Sequence, residues 1–507
     1  MALSECIDLQ RRILLRGTAS LVTVGGLSAC GGGGAESEKV VPLTATPSKA
    51  PAPAPATPAP PAAPAPAPTP TPTPSPAPTP TAPPLPPAPA APLPSPPLSP
   101  TPAWAASIPI DRWHTFTGTA FAPWARANIP RGAYLGNDPF DSIVNAYCDP
   151  GYSPWAGKQF FYGGGHGDGT CNAVCQFDHA TLAWSLVGQP TPPAKYPTSY
   201  VNDGAQPGPL VYPSGLSGSG FFLSNAQLNA AADLPFSTPL ARTSTHMYAA
   251  AAMRGTTVYY FYLTYGEFDT ATGQWAGYGV DIGAQLTRFR PEYGTVPLQQ
   301  GTVATYDEVS DRFFVTLNPG DSGGGWRSGI MVFNPTTRTI ESIHETNDST
   351  YGLVGNSMSV CRVGRVLYCF TKTGNYGASQ VMNQGFMFNM DTKAYRRFTL
   401  VGDTDGSTFP YSGIQETIPT FYDGAAIRRW NYAPQFVNKM FSVNLSPISG
   451  TGATDNPYVL LQTARTIGGT APARGVYVFS RFVFNGGANC AMLLPEAGAE
   501  WIALKLS

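Results

Sequence analysis

Gln159-Phe160-Phe161-Tyr162, then Gly163-Gly164-Gly165-His166-Gly167-Asp168, then Val174-Cys175-Gln176-Phe177-Asp178, then Thr181-Leu182-Ala183-Trp184 is the stretch on which the reading of this chain turns. A short aromatic run ends in glycines, which let a backbone turn where side chains would crowd it. A second apolar run ends in Phe-Asp, and a Thr-bearing turn leads to Trp184. Short β-branched and aromatic runs broken by Gly, Asn, Asp and Pro predict strands joined by turns, not helices.

The same strand ending recurs down the chain, as Glu267-Phe268-Asp269, Val332-Phe333-Asn334, Met387-Phe388-Asn389 and Ser442-Val443-Asn444, and the last three asparagines are 55 residues apart each time. The copy at Phe268-Asp269-Thr270-Ala271-Thr272-Gly273-Gln274-Trp275 repeats the closing tryptophan, and a weaker copy stands at Val476-Tyr477-Val478-Phe479. A fixed period of this size marks a repeat architecture. A strand ending in glycines, a strand ending in Phe-Asp and a turn closed by Trp resemble a kelch repeat. Over residues 104–507 the resemblance is to kelch and galactose-oxidase-type β-propellers. It implies an all-β fold, a six- or seven-bladed kelch-like β-propeller, with Trp184 packed between neighbouring blades and an N-terminal strand completing the last one. A tandem of β-sandwiches is the alternative.

Outside that body the composition changes abruptly. Of 54 prolines, 28 lie between Pro42 and Pro102, while all 59 aromatic residues lie from Trp104 onward. Residues 31–103 therefore read as a disordered linker, Gly-rich and then Pro/Ala/Thr-rich. Residues 42–102 favour polyproline II, a stiff tether reaching up to roughly 190 Å. Residues 1–30 have the layout of an export signal: Arg11, Arg12 and Arg16, a mildly apolar stretch, then Leu27-Ser28-Ala29-Cys30. That last run resembles a lipobox, which implies lipidation at Cys30 and an exported bacterial lipoprotein; Gly31 after it points to the outer membrane or cell surface. The arginines suit a twin-arginine or a Sec signal. Lys+Arg 30 against Asp+Glu 31 leaves no basic excess for nucleic acid, and the expected membrane contact is through the N-terminal lipid alone.

If strands follow one another up and down in each blade, the connection after the second strand and the one after the fourth leave at the same end. His166 and Asp168 fall in such a connection, as do Trp326, in Gly323-Gly324-Gly325-Trp326, and Tyr376, in Gly374-Asn375-Tyr376-Gly377. His246 and Tyr248 precede the next first strand. Two imidazoles, a carboxylate and aromatic faces at one mouth suit a sugar, which stacks on rings and hydrogen-bonds to planar polar groups. Packing within blades is the competing role for His166, His246 and Tyr248, while His114, His179 and His344 read as surface or packing residues. The body's net charge is only −2, so stacking and hydrogen bonds would have to supply affinity.

Two function classes follow. One is a binding module for an extracellular glycan or protein partner, expected to be a monomer without cofactor. The other is a polysaccharide lyase with His166, His246 and Tyr248 as acid and base. A lyase would want a cation beside His246 and Tyr248 to neutralise a uronate, and Arg254 is the nearest in sequence. Gly320-Asp321-Ser322-Gly323-Gly324 matches the pentapeptide around the nucleophile of chymotrypsin-like proteases, but neither His166 nor His246 has that family's His context. Copper-oxidase chemistry lacks a His-His pair. With Cys6 and Cys30 set aside, six cysteines remain, an even number suited to disulfides in an oxidising compartment. Val360 to Cys369 reads as a hairpin turning near Gly364 that sets Cys361 opposite Cys369. Cys148 would then bond Cys171 or Cys175, leaving Cys490 to take the other or stay free. Cys171 and Cys175 also resemble a zinc half-site, without a second pair to complete it.

Overall fold

The computed structural model describes residues 98–130, 143–144, 150–162, 171, 173–190, 250–261, 265–276, 280, 282–291, 302–317, 329–346, 358–373, 381–403, 420–430, 436–472 and 481–506. Within them the chain is all-β apart from two eight-residue helices, the helical residues 143–144 and one 3-10 turn.

Strand β1 (Trp113–Thr115) comes first and stands apart from those that follow it. The first four-stranded unit is β2 (Gly151–Ser153), β3 (Lys158–Phe161), β4 (Val174–Asp178) and β5 (Ala183–Gly188). The second is β6 (Ala251–Arg254), β7 (Thr257–Phe261), β8 (Tyr265–Asp269) and β9 (Gln274–Ala276). The third is β10 (Ala304–Asp307), β11 (Arg312–Leu317), β12 (Gly329–Asn334) and β13 (Thr339–Glu345). A fourth, β14 (Met358–Val363), β15 (Val366–Thr373), β16 (Val381–Asn389) and β17 (Tyr395–Gly402), is followed by a fifth, β18 (Thr420–Tyr422), β19 (Ile427–Trp430), β20 (Lys439–Val443) and β21 (Tyr458–Thr466). Last come β22 (Phe482–Asn485), β23 (Cys490–Leu493) and β24 (Ile502–Lys505). Strand β1 pairs with β24 and completes their sheet, joining the two ends of the body as the sequence suggests.

Each unit is an antiparallel meander whose strands lie in chain order. The fourth and fifth are fused: their outer strands β17 and β21 pair in parallel from Phe398↔Tyr458 to Gly402↔Gln462, making one eight-stranded sheet. First strands of successive units lie side by side, β2 by β6, β6 by β10, β14 by β18 and β18 by β22, which gives the fold a propeller-like plan. Neighbouring units approach closely: a Cβ on Gly151 of β2 would meet Val258 Cγ1 of β7 at 2.6 Å.

The core lies between the sheets. Phe314, Ile330 and Val332 of the third unit pack against Leu367, Cys369, Phe386 and Phe388 of the fourth. Because both faces of a sheet are covered, β12 is buried at every position and reads as a continuous apolar run without alternation. Trp184 packs across to Trp501 before β24 (6.1 Å) and donates from Nε1 to the Thr119 carbonyl, while Trp275 reaches back to Tyr162 of the first unit (4.6 Å). Both therefore lie between neighbouring units, as expected of Trp184.

The recurring Asp or Asn has a physical reason to recur. Its side-chain Oδ1 accepts the backbone N–H two residues on, at Asp178, Asp269, Asn334, Asn389 and Asn444, with distances of 2.8 to 2.9 Å. Four residues on from the first four of these, Leu182, Gly273, Arg338 and Lys393 turn the chain with φ of 56°, 70°, 57° and 60°. An Asx turn followed by one left-handed residue thus closes the third strand onto the fourth. The copy at 476–479 lies outside the described residues.

Two helices went unforeseen. Helix α1 (Phe121–Asn128) buries Phe121, Ala122 and Ala125 beside β5. Helix α2 (Ile282–Phe289) lies along β13, where Gln285 accepts the Ile340 N–H (2.8 Å) and donates to the Arg338 carbonyl (3.0 Å). One side chain thereby replaces a missing neighbour strand on that edge.

Candidate functional site

The two ends of the sheets differ in kind. At one end, first and second strands are joined through 154–157, 255–256, 308–311, 364–365, 423–426 and 486–489. Third and fourth strands are joined there through 179–182, 270–273, 335–338 and 390–394, with one longer link at 444–457. After second strands come 162–173, 318–328, 374–380, 431–435, 494–501 and one short link, 262–264, and after fourth strands 189–250, 277–303, 346–357, 403–419 and 467–481.

The tight-turn end is held by ion pairs that cross from unit to unit. Arg254 at the end of β6 grips Asp311 of the third unit with Nε and Nη2 at 2.6 and 2.8 Å, and Tyr306 Oη donates to the same carboxylate at 2.8 Å. Arg338 of the third unit reaches back to Glu267 of the second at 2.8 and 2.9 Å, and Tyr265 Oη donates to that carboxylate at 2.5 Å. Arg362 and Arg365 of the fourth unit bind Glu308 and Asp307 of the third. Burial pushes Asp311 up, but the hydrogen bonds from Arg254 and Tyr306 outweigh it and hold the carboxyl below its usual range. Burial and then the Glu267 charge raise Tyr265 well above an ordinary phenol, which fixes it as a donor. Asp311 is therefore ionised and Tyr265 protonated near neutral pH. The ion pairs staple the sheets together, and Arg254, committed to Asp311, is no partner for a uronate at the other end.

A second polar cluster is internal. His179, fully buried, follows β4 and lies where the first unit meets the β22–β24 sheet. Its Nε2 donates to Gln159 Oε1 (3.1 Å), its Nδ1 accepts from Asn485 Nδ2 (3.3 Å), and Trp104 Nε1 donates to its carbonyl (2.6 Å). Burial lowers its pKa to about 3, so the ring is neutral. Of the surface or packing roles read from sequence for this histidine, its burial fits packing.

His166, Asp168, His246, Tyr248, Trp326 and Tyr376 all lie outside the described residues, in stretches of sequence that follow a second or a fourth strand, and Cys30, Asp321 and Ser322 lie outside them as well. Sequence reasoning passed over two buried cations near those connections. Arg429 of β19 lies over the Phe370 ring at 4.6 Å and donates to Gln462 Oε1 at 2.7 Å. Arg481, just ahead of β22, is fully buried and donates to the Val144 carbonyl at 2.8 Å. Their signal was the Arg-Arg-Trp and Arg-Phe contexts, apolar strand residues flanking a charge.

The disulfide reading requires correction. The hairpin at Gly364 exists, but its register pairs Cys361 with Tyr368 and Cys369 with Val360. Side chains alternate along a strand, so an offset of one residue puts the two sulfurs on opposite faces of the sheet. Cys361 packs with Phe370 and Phe398, Cys369 with Phe314 and Phe386, and both thiols are free. Cys171 and Cys490 are likewise free and buried, each with its thiol pushed up to about 12 by burial. Cys175 is buried in β4, and Cys148 lies outside the described residues. Cysteine usage therefore gives no support to an oxidising compartment. Among the described residues no group of three His, Cys, Asp or Glu side chains could hold a metal ion, and Cys171 with Cys175 forms no such site.

No protein-family model matches the chain, and no curated protein matches its sequence. Among solved structures, one reported under the heading of the structural and mechanistic analysis of two prolyl endopeptidases and inter-domain dynamics matches at 11% identity with a TM-score of 0.26. The match covers 68% of this chain and 40% of that one, so the chain spans well under half of the protein it resembles.

Proposed function

We propose that the chain is a lipid-anchored, exported protein whose body is a six-bladed kelch-like propeller, and that it binds an extracellular glycan or protein partner where the long connections leave its sheets. The observation that carries this is the asymmetry of the two ends. Mostly short, ion-paired turns occupy one end, and every candidate ligand residue named from sequence stands in a stretch of sequence that follows a second or a fourth strand. Loops mounted on a rigid scaffold are where recognition usually resides. Six meanders of four strands, the last closed by β1, support the six-bladed reading, and the repeated Asx turns support the kelch resemblance. The leader through Cys30 supports the anchor.

A glycan array probed with the purified protein tests the ligand. Trp326→Ala and His246→Ala should each weaken the binding it finds, with the melting temperature nearly unchanged. If both variants unfold, those residues are packing and the reading fails. Cys30→Ala should release the protein from membranes; an unchanged membrane fraction would remove the anchor.

A further inference from the structure

The sheet made of β22, β23, β24 and β1 uses both ends of the body, so its junction with the first unit is where the molecule closes. A line of hydrogen bonds crosses that junction. Ser99 Oγ (3.4 Å) and the Ala488 N–H (3.1 Å) both donate to Asn485 Oδ1, which turns the amide nitrogen of Asn485 toward His179 Nδ1. His179 Nε2 passes the line on to Gln159. Each group has one role, and Nδ1 must accept. A proton on Nδ1 would set N–H against N–H, and turning the Asn485 amide round would strip Ala488 and Ser99 of their acceptor.

Among the described residues no charged group pairs with the His179 ring. Tyr152, Phe177 and Trp501 rings lie 5.5 to 5.8 Å from it, and Gln159, Asn485, Ser99 and Trp104 complete the shell. The buried Cys490 thiol donates to Ala488 O. The nearby charges are engaged elsewhere: Lys158 with Asp178 at 3.6 Å, and Lys505 donating to the Ala105 carbonyl at 2.8 Å. Glu500 accepts from the Gly118 N–H (3.1 Å), the Thr119 N–H (2.5 Å) and Thr119 Oγ1 (2.9 Å), which ties the segment 98–120 to the β22–β24 sheet and does not cross to the first unit.

We propose that this junction is an acid-released latch: on acidification the β22–β24 sheet and the segment 98–120 come away from the first unit while the remaining sheets stay folded. An opened His179 regains the ordinary affinity for a proton, so the open state binds more protons than the closed one below about pH 6.5. The latch is fully closed above that pH and loses up to about tenfold in its closing equilibrium per pH unit from there toward 3, the value that burial imposes on the closed state. The inference is independent of any ligand at the other end.

Hydrogen exchange by mass spectrometry on the full-length protein at pH 7.0 and 4.5, corrected for intrinsic rates, tests it. About a hundredfold loss of protection is expected in peptides covering 99–116 and 482–505, with 304–345 and 358–402 holding theirs. Protection lost in all sheets together, or in none, overturns the latch. His179→Gln keeps a donor and an acceptor without titrating, so its junction peptides should exchange alike at pH 6.5 and 4.5; an acid loss that persists in this variant assigns the effect elsewhere and overturns the role of His179. Should the variant not fold, the wild-type comparison decides alone.

Discussion

A glycine in this molecule can be indispensable for two separate reasons, and neighbouring strands show both. Gly364 turns the β14–β15 hairpin at φ 57° with nothing within 4 Å of a would-be Cβ, whereas Gly385 of β16 is extended but would drive a Cβ to 2.0 Å from the Cys369 carbonyl. Gly364→Ala should cost about 1 to 2 kcal/mol from the left-handed backbone alone. Gly385→Ala should cost more than about 3 kcal/mol, because a central strand must shift. Chemical denaturation of the two variants measures the difference, and equal losses would contradict the contrast. The Asx turns are a gentler case: Asn389→Ala removes the acceptor for the Asp391 and Thr392 N–H groups and should cost about 1 kcal/mol. The thiols give a third test. Cys361 and Cys369 should resist alkylation in the native protein and both react after unfolding without reductant; a disulfide-linked peptide from this pair would overturn the register. The hairpin itself could be read from the sequence, since Gly364 marks it. The faces could not, because whether Cys361 opposes Cys369 or Tyr368 depends on the turn's length by a single residue.

Strands were legible as elements because each repeat advertises its third strand with an apolar residue, an Asp or Asn and a turn. The strand boundaries at 158–161 and 174–178 follow the quoted stretch closely. Helices α1 and α2 were not legible. Each spans two turns, α1 lacks a capping side chain, and what stabilises them is the sheet edge they cover. Gln285 makes that cover specific, and Arg290 adds an ion pair to Glu345 at 2.9 Å. Gln285→Ala should lower stability by about 1 to 2 kcal/mol and leave the β13 edge open to pairing with other chains. Light scattering during mild heating would show the second effect as earlier aggregation; unchanged scattering with unchanged stability would mean the helix does not guard the edge.

Closure of the whole molecule depends on very little chain. Strand β1 contributes three residues to its sheet, yet Trp113 also packs edge-on against Trp430 (5.5 Å) and Ser99 lies against Gly487. A chain beginning at residue 116 should therefore lose the single cooperative transition that one beginning at residue 98 retains, as calorimetry would reveal. A sharp transition in the shorter chain would mean that closure is held elsewhere. At this scale the sequence showed that the body is all-β and built of recurring units, because a strand ending can be counted. It could not show which ends of the sheets are stapled, since Arg338 and Glu267 are 71 residues apart and nothing local links them. The fused sheet has a mechanical consequence. Most neighbouring units meet through side chains, which slide and part under load, but the fourth and fifth share a ladder of backbone hydrogen bonds between β17 and β21. Pulled from its N-terminus, the molecule should give first where β1 peels from β24 one bond at a time. The eight-stranded sheet, loaded in shear along β17 and β21, should break last and as a single long step, so that a force-extension trace would read the architecture from its weakest join to its strongest.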